Sequence, residues 1–317
     1  MSLRSLFDVP APAKLNLFLH VVGRRADGYH LLQSPFVLID WADTLHFERR
    51  DDGQLTRHDL GPALPADDLC LKAARALQAT SGTTHGVDIS IDKQVPWGAG
   101  MGGGSSDAAT TLLALNRLWG LGWSRERLLA IAATLGADVP FFVGGRNAFV
   151  EGIGDRLTPI DWPQRWYAVV KPAAALETRA IFEHPTLVRD TDPVILAGFL
   201  VDAGLDAAVD AQGRTGDSGR SQASEVVEPE HFFGRNDLQA PAELQCADVS
   251  MAARWLEARF GNSRMTGSGS AVFARAGEFA GPGAPPKATF PADELPPGWV
   301  GRMCRSLPAH PLLEWAA

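Results

Sequence analysis

Residues 13–22 alternate, with Leu15, Leu17, Leu19 and Val21 on one side of a predicted strand and Lys14, Asn16 and His20 on the other. Arg24-Arg25-Ala26-Asp27-Gly28-Tyr29-His30 reads as a turn with Asp-Gly at its corner. Apolar runs at 35–40 and 44–48 predict two strands around a bend at Trp41-Ala42-Asp43, and 51–67 predicts loop with room for one short strand. The spacing becomes helical over 68–79, where Leu69, Ala73, Ala74 and Leu77 recur behind Asp68, a suitable N-cap. Alternation returns at 86–93. An Ala/Leu-rich helix is predicted from Ser106 to about Leu118, and another over 125–135, capped by Ser124 and stopped by Gly136. Short strands near 141–143 and 146–151 follow Pro140.

Pro159 and Pro163 break the segment 156–165, which marks the expected boundary between a domain at 1–160 and another at 161–317. A strand at 166–170 opens the second half. Asp192-Pro193 starts a helix running to about Leu200, since proline is tolerated in a first turn. Residues 209–229 have little to bury and read as a surface insertion. Helical patterns resume at 236–259, then a strand at 270–275, a loop at 276–298 and a last strand at 299–305. No solenoid repeat is present. Strands come first and helices mix in later, so an α+β fold in two layers is expected rather than a doubly wound sheet.

Composition narrows the classes. A chain of 317 residues, 45% hydrophobic and 21% charged, is globular and large enough to hold a core without disulfides or metal. Its net charge of −8 argues against a broad nucleic-acid-binding surface. Cys70, Cys246 and Cys304 are far apart and fit neither a disulfide framework nor a zinc cluster, so a reducing, cytoplasmic setting is expected. Neither a signal peptide nor a membrane span is evident.

The sharpest feature is Val95-Pro96-Trp97-Gly98-Ala99-Gly100-Met101-Gly102-Gly103-Gly104-Ser105-Ser106, directly before a helix. Glycines permit a tight path in which successive N–H groups face an anion, and the helix N-terminus adds unpaired N–H groups. Ser105 and Ser106 bring hydroxyls suited to phosphate oxygen or magnesium, and Lys93 is a candidate phosphate contact. No lysine precedes the serines, so the Gly-x4-Gly-Lys-Ser/Thr loop of nucleotide triphosphatases is excluded. A dinucleotide fingerprint lacks its strand–helix–strand unit and acidic partner. A second glycine segment, Met265-Thr266-Gly267-Ser268-Gly269-Ser270, and the block Gly136-Ala137-Asp138-Val139-Pro140 are further candidates.

In this order, the segments resemble the kinase superfamily named for galactokinase, homoserine kinase, mevalonate kinase and phosphomevalonate kinase. Pro96, Gly100, Met101, Gly102, Gly103, Gly104, Ser105 and Ser106 match its phosphate loop, with Met101 in place of leucine. The pieces Pro12-Ala13-Lys14-Leu15-Asn16-Leu17, Asp27-Gly28-Tyr29-His30, Gly136 to Phe142, Asn236-Asp237-Leu238, Met265 to Ser270 and Ser306-Leu307-x2-His310-Pro311 resemble a branch whose acceptor alcohol carries a cytidine diphosphate group. Where that branch usually has Asn-Leu at a helix start, this chain has Asp68-Leu69.

The resemblance implies a first domain related to ribosomal protein S5 domain 2 and a second α/β sandwich domain, with ATP and acceptor meeting between them. It also implies magnesium, a small-molecule partner, no nucleic acid or membrane, and a monomer or weak homodimer. Asp138 and Lys14 correspond to its catalytic pair. Lys93 and Pro96 to Ser106, Trp97, Gly98 and Ala99 included, correspond to ATP contacts. Asn16, Tyr29, His30, Thr178, Phe182 and Gly267 correspond to acceptor contacts. Physically, a carboxylate can take or orient a hydroxyl proton while an ammonium offsets charge. Asn16, two positions from Lys14, shares its strand face. The competing readings are a superfamily kinase acting on mevalonate, homoserine or a sugar, and a phosphate-binding regulatory module without catalysis.

Overall fold

The computed structural model describes residues 3–66, 68–202, 233–281, 283–286 and 288–316; the expected insertion at 209–229 lies outside them. The first sheet has seven strands. These are β1 (Ser5–Asn16), β2 (His20–Arg24), β3 (His30–Arg50), β4 (Leu55–Asp59), β5 (Gly86–Asp92), β6 (Ala148–Gly152) and β7 (Arg156–Pro159). The central β3 pairs antiparallel with β1, β2, β5 and β6, and only β4 with β5 is parallel. Four helices, α1 (Leu69–Ser81), α2 (Gly103–Leu118), α3 (Arg125–Leu135) and α4 (Val139–Gly144), lie with this sheet. The second sheet orders β8 (Arg165–Lys171), β9 (Arg264–Met265), β10 (Val272–Glu278) and β11 (Val300–Arg305) as β11-β8-β10-β9. Helices α5 (Thr178–Glu183), α6 (Leu196–Asp202), α7 (Gln239–Gln245) and α8 (Ala247–Phe260) complete the second half.

Three apolar cores stack the layers. Leu45, Phe47, Ile89 and Val150 meet the helices of the first half, including Leu112 and Leu113. Leu15, Val37 and Ile39 meet Tyr167, Val169 and Phe273, so the two sheets share a core. Ala168, Val170 and Val272 turn the other way, onto Val249 and Leu256 of α8. Each half is therefore a two-layer α+β unit, and the whole runs helix, sheet, sheet, helix. The expected two-layer arrangement is corrected to four because both faces of each sheet are apolar.

Several local expectations are also corrected. The strand predicted over 13–22 begins at Ser5 and is interrupted after Asn16. Leu15 and Leu17 enter the inter-sheet core, whereas Leu19 and Val21 enter the α8-side core. The two strands predicted at 35–40 and 44–48 are one strand. Its bend survives as a change of side: Val37, Ile39 and Trp41 face the second sheet, but Leu45 and Phe47 face the helices. Ladder bonds interrupted there are replaced by the C-terminal segment, where Asp40 Oδ1 accepts from Arg305 N at 2.8 Å and Leu38 O accepts from Leu307 N at 2.8 Å. The apolar run after Asp138 is helix α4, with Pro140 in the first turn. A short run apolar all round has no periodicity to separate strand from helix. The helix predicted from Asp192 starts only at Leu196, since Gln33 Oε1 takes the Val194 N–H at 2.7 Å.

Candidate active site

From Val9, beyond a first register shift, residues of β1 alternate until Pro12, where the register against β3 shifts again before Lys14. Val9 and Ala11 face the helices, yet Ala13 and Leu15 face the second sheet. The shift thereby turns Lys14 and Asn16 towards the helices, and two contacts hold it. Ser106 Oγ donates to Pro12 O at 2.7 Å, and Lys14 N donates to Met101 O at 3.0 Å. Ser106, expected among the ATP contacts, is buried and its hydroxyl is engaged with β1.

The glycine loop lines a cavity of about 430 Å³, together with Leu64, Leu69, Cys70 and Leu176. Lys93, Ser105 and every residue from Pro96 to Gly104 stand on its wall, and Trp97 lies two-thirds exposed at 67%. The start of α2 at Gly103 gives the wall a helix N-terminus. Against the loop runs the second glycine segment: Ser270 N donates to Gly98 O at 3.1 Å and Ala271 N to Ala99 O at 3.2 Å. A Cβ on Gly100, whose φ is +71°, would stand 2.3 Å from Thr266 O. One on Gly267 would stand 2.6 Å from Gly100 O. Gly267, expected at the acceptor, is therefore required at least for this backbone contact.

The Lys93 ammonium on the cavity wall is largely buried and pairs with Asp43 and, at 2.6 Å, with Asp107. Burial lowers the Lys93 pKa but the two carboxylates outweigh it, leaving the ammonium above its ordinary value. Burial, reinforced by Asp43, raises the Asp107 carboxyl. Asp43 Oδ1 also accepts from Gln94 N at 2.6 Å and Val95 N at 2.7 Å, pinning the entry to the loop. Composition gave no sign of this role for Asp43. Asp68 caps α1 by accepting from Leu71 N at 3.0 Å and pairs with Arg57 at 2.9 Å. The carboxylate in place of the usual amide thus has a cation of its own.

Asp138 immediately precedes α4 and makes no side-chain capping bond, so the structural alternative of a cap is not what holds it. Its Oδ2 lies 3.6 Å from Lys14 Nζ, with the lysine side chain 4% and the aspartate 32% exposed. Lys14 Nζ also donates to Asn16 Oδ1 and sits 4.3 Å above the Phe36 ring. Asn16 Nδ2 donates to Ser34 Oγ at 2.8 Å, and Asn16 N to Thr266 Oγ1 at 2.9 Å, which joins β1 to the second glycine segment. Burial lowers the Lys14 pKa from its ordinary 10.5, and Asp138 partly offsets this. The pair adjoins the cavity: a Cβ on Gly102 would stand 3.3 Å from Lys14 Cε. Among the described residues no group of three or more His, Cys, Asp or Glu could hold a metal. A magnesium ion carried by phosphates needs only one or two protein oxygens, and the Ser105 hydroxyl and Asp138 carboxylate are hard donors of that kind.

Tyr29 and His30 form the expected corner, Tyr29 being 62% exposed. The His30 ring lies 5.1 Å from Phe182. Thr178, expected beside Phe182, lines the glycine-loop cavity and bonds to Ser268 Oγ at 2.8 Å. The two residues are four apart on α5, so one helical face touches both regions.

A family model described as GHMP kinases N terminal domain matches residues 68–146. A 4-diphosphocytidyl-2-C-methyl-D-erythritol kinase of Methylibium petroleiphilum is 61% identical over 316 residues, covering 100% of both chains. Another, from Variovorax paradoxus, is 52% identical over 314 residues, covering 99% of this chain and 100% of its own. The chain belongs to the 4-diphosphocytidyl-2-C-methyl-D-erythritol kinase family. A solved kinase structure of this family is 33% identical, covers 86% of this chain and 90% of its own, and superposes with a TM-score of 0.66. The family's GHMP kinase fold thus comprises the helix-covered first sheet and the α/β second half.

Two of the blocks that resemble the family are scaffold. Asn236 Nδ2 donates to Met265 O at 2.7 Å and Gly267 O at 2.8 Å, holding the second glycine segment. His310 is buried, and burial pushes its pKa down to about 3 while Nδ1 accepts from Leu312 N at 3.1 Å. Among the described residues no helix is long and apolar enough to cross a membrane.

Proposed function

We infer that this kinase transfers the γ-phosphoryl group of ATP to the 2-hydroxyl of 4-diphosphocytidyl-2-C-methyl-D-erythritol, giving ADP and the 2-phosphate. The observation that carries the reading is the Lys14–Asp138 pair at 3.6 Å beside the glycine-loop cavity. The end-to-end likeness to kinases of that name supports the choice of acceptor. On this reading residues 1–160 form the first catalytic half, and the cavity lined by Pro96 to Ser105 is the ATP site.

The loop N–H groups and the first turn of α2 hold the phosphates. Asp138 orients the acceptor hydroxyl and takes its proton as oxygen bonds to the γ-phosphorus and the bond to ADP breaks. Lys14, fixed by Asn16 and Phe36, stabilises the negative charge gathering on the transferring group. Ser105 and Asp138 are the residues that would hold a magnesium ion carried by the phosphates, which would supply neutralisation of phosphate charge. Tyr29, His30 and Phe182 hold the cytidine end by ring contact and by the polar edge of His30. Gly267 keeps the wall behind Asn16 close.

The deciding experiment offers ATP with the cytidylated alcohol, uncytidylated methylerythritol, mevalonate or homoserine, and follows ADP release with phosphorus NMR of the product. The expected result is turnover of the cytidylated alcohol with phosphate on its 2-oxygen. Preference for an uncytidylated acceptor would reject the assignment.

A further inference from the structure

Helix α4 has six residues, too few to be stable alone, and it starts directly after Asp138, whose carboxylate makes no capping bond. The place of that carboxylate is set by its backbone, and so by what holds α4. On one side, Phe141 stands edge-on to Phe36 at 5.2 Å, the ring over which Lys14 sits. Phe142 packs against the glycine loop, where a Cβ on Gly102 would stand 3.0 Å from its ring. The far end of α4 is held by distant residues. Arg125, the first residue of α3, donates from Nη1 to Val143 O, and from Nη2 to Leu313 O and, at 2.8 Å, to Ala316 O. Gly145, the left-handed cap of α4 at φ +73°, accepts at its carbonyl from His310 N at 2.8 Å. Leu312 is buried in the same core as Phe141 and Phe142, and Arg117 lies 4.9 Å over the Trp315 ring. The segment carrying Ser306-Leu307 and His310-Pro311 thus closes on the back of the helix that follows Asp138.

We propose that Arg125 is a positioning residue for phosphoryl transfer: by gathering Val143 O with Leu313 O and Ala316 O, it locks the C-terminal segment onto α4 and holds Asp138 in place against Lys14. The proposal rests on the reading of Asp138 as the carboxylate that orients the acceptor hydroxyl. One guanidinium can span carbonyls of two segments because its N–H donors form a fixed fork. Val143 lies five residues beyond Asp138, roughly 7.5 Å along the helix axis, so a tilt released at one end moves the other. A misplacement of about 1 Å at a reacting group costs on the order of 10²-fold in rate. Arg125 does not line the glycine-loop cavity, so nucleotide binding is spared.

The test measures kcat and both KM values for Arg125→Met and Arg125→Lys, each in the wild-type and Asp138→Asn backgrounds, below the melting temperature of every variant. Arg125→Met should lower kcat about tenfold to 10²-fold while both KM values change less than about twofold. Arg125→Lys keeps a cationic donor and should recover most of the loss. In Asp138→Asn, where no carboxylate is left to position, Arg125→Met should change kcat by less than about twofold. Should Arg125→Met fail to fold, removal of residues 315–317 takes away Ala316 O alone from the fork. That shorter chain should lose about threefold in kcat, and the loss should again vanish in Asp138→Asn. Equal losses in both backgrounds, an unchanged kcat, or an effect confined to KM overturns the proposal and leaves the kinase reading standing. Asp138→Asn that turns over like wild type removes the carboxylate's role, and the positioning role with it.

Discussion

Around Gly100 the wall of the site is backbone laid against backbone, whereas around His30 it is side chain laid against side chain. The first region has almost no freedom, because a Cβ at Gly100 would collide with the Thr266 carbonyl at 2.3 Å. The second has an exposed Tyr29 and a half-buried His30 whose ring lies 5.1 Å from Phe182. Phosphate is the same in every nucleotide, so fixed N–H donors suit it. On the proposed reading the second region meets a pyrimidine, which must be told from its near relatives. The Lys14–Asp138 pair adjoins the rigid region, a Cβ on Gly102 standing 3.3 Å from Lys14 Cε.

The sharpest break in this comparison is chemical. Asp138→Asn should lower kcat about 10³-fold while leaving the melting temperature and acceptor KM nearly unchanged, because the carboxylate makes no capping bond. Stopped assays beside thermal melts check this; a lost melting temperature with intact kcat would return Asp138 to a structural role. Next, Gly100→Ala should cost about 3 kcal/mol in denaturant unfolding, while Tyr29→Ala stays within about 0.5 kcal/mol. Equal losses would erase the distinction between the two regions.

A pH profile probes their junction. Lys14 has a lowered pKa, so its ammonium loses its proton, and kcat falls, at a pH below the ordinary 10.5. The fall should approach about tenfold per pH unit, and Lys14→Arg, always charged, should lack that limb even if it is slower throughout. An unchanged alkaline limb in the arginine variant would assign it to another group. The smallest effects divide α5: Phe182→Leu should raise the acceptor KM about fivefold, and Thr178→Val the ATP KM two- to threefold. Should both variants move the same KM, α5 would not bridge the two regions.

Much of the site was legible because its demands are local. Glycines 98 to 104 predict a tight anion-facing path wherever they fold, and Asp68 and Ser124 do cap the helices they were expected to cap. Lys14 and Asn16 share a strand face by simple alternation. The sequence did not show which face, because the register shift at Pro12 depends on Ser106 and Met101, about 90 residues away. Ser106 and Lys93 read as phosphate contacts from proximity to the loop, and their bonds to Pro12 of β1 and Asp43 of β3 left no local sign. Asp43 left no local trace at all, since its partners are 50 or more residues away.

The order of strands and helices, the glycine path and the residue types at 14, 16 and 138 are properties of the chain itself, since backbone freedom, capping and alternation act over a few residues. The stacking of two sheets into one core, the helical state of Val139–Gly144 and the partners of Lys93 and Arg125 were decided only on folding. Burial removes the water that would otherwise satisfy those charged groups, so each takes whichever distant partner the packing brings within reach.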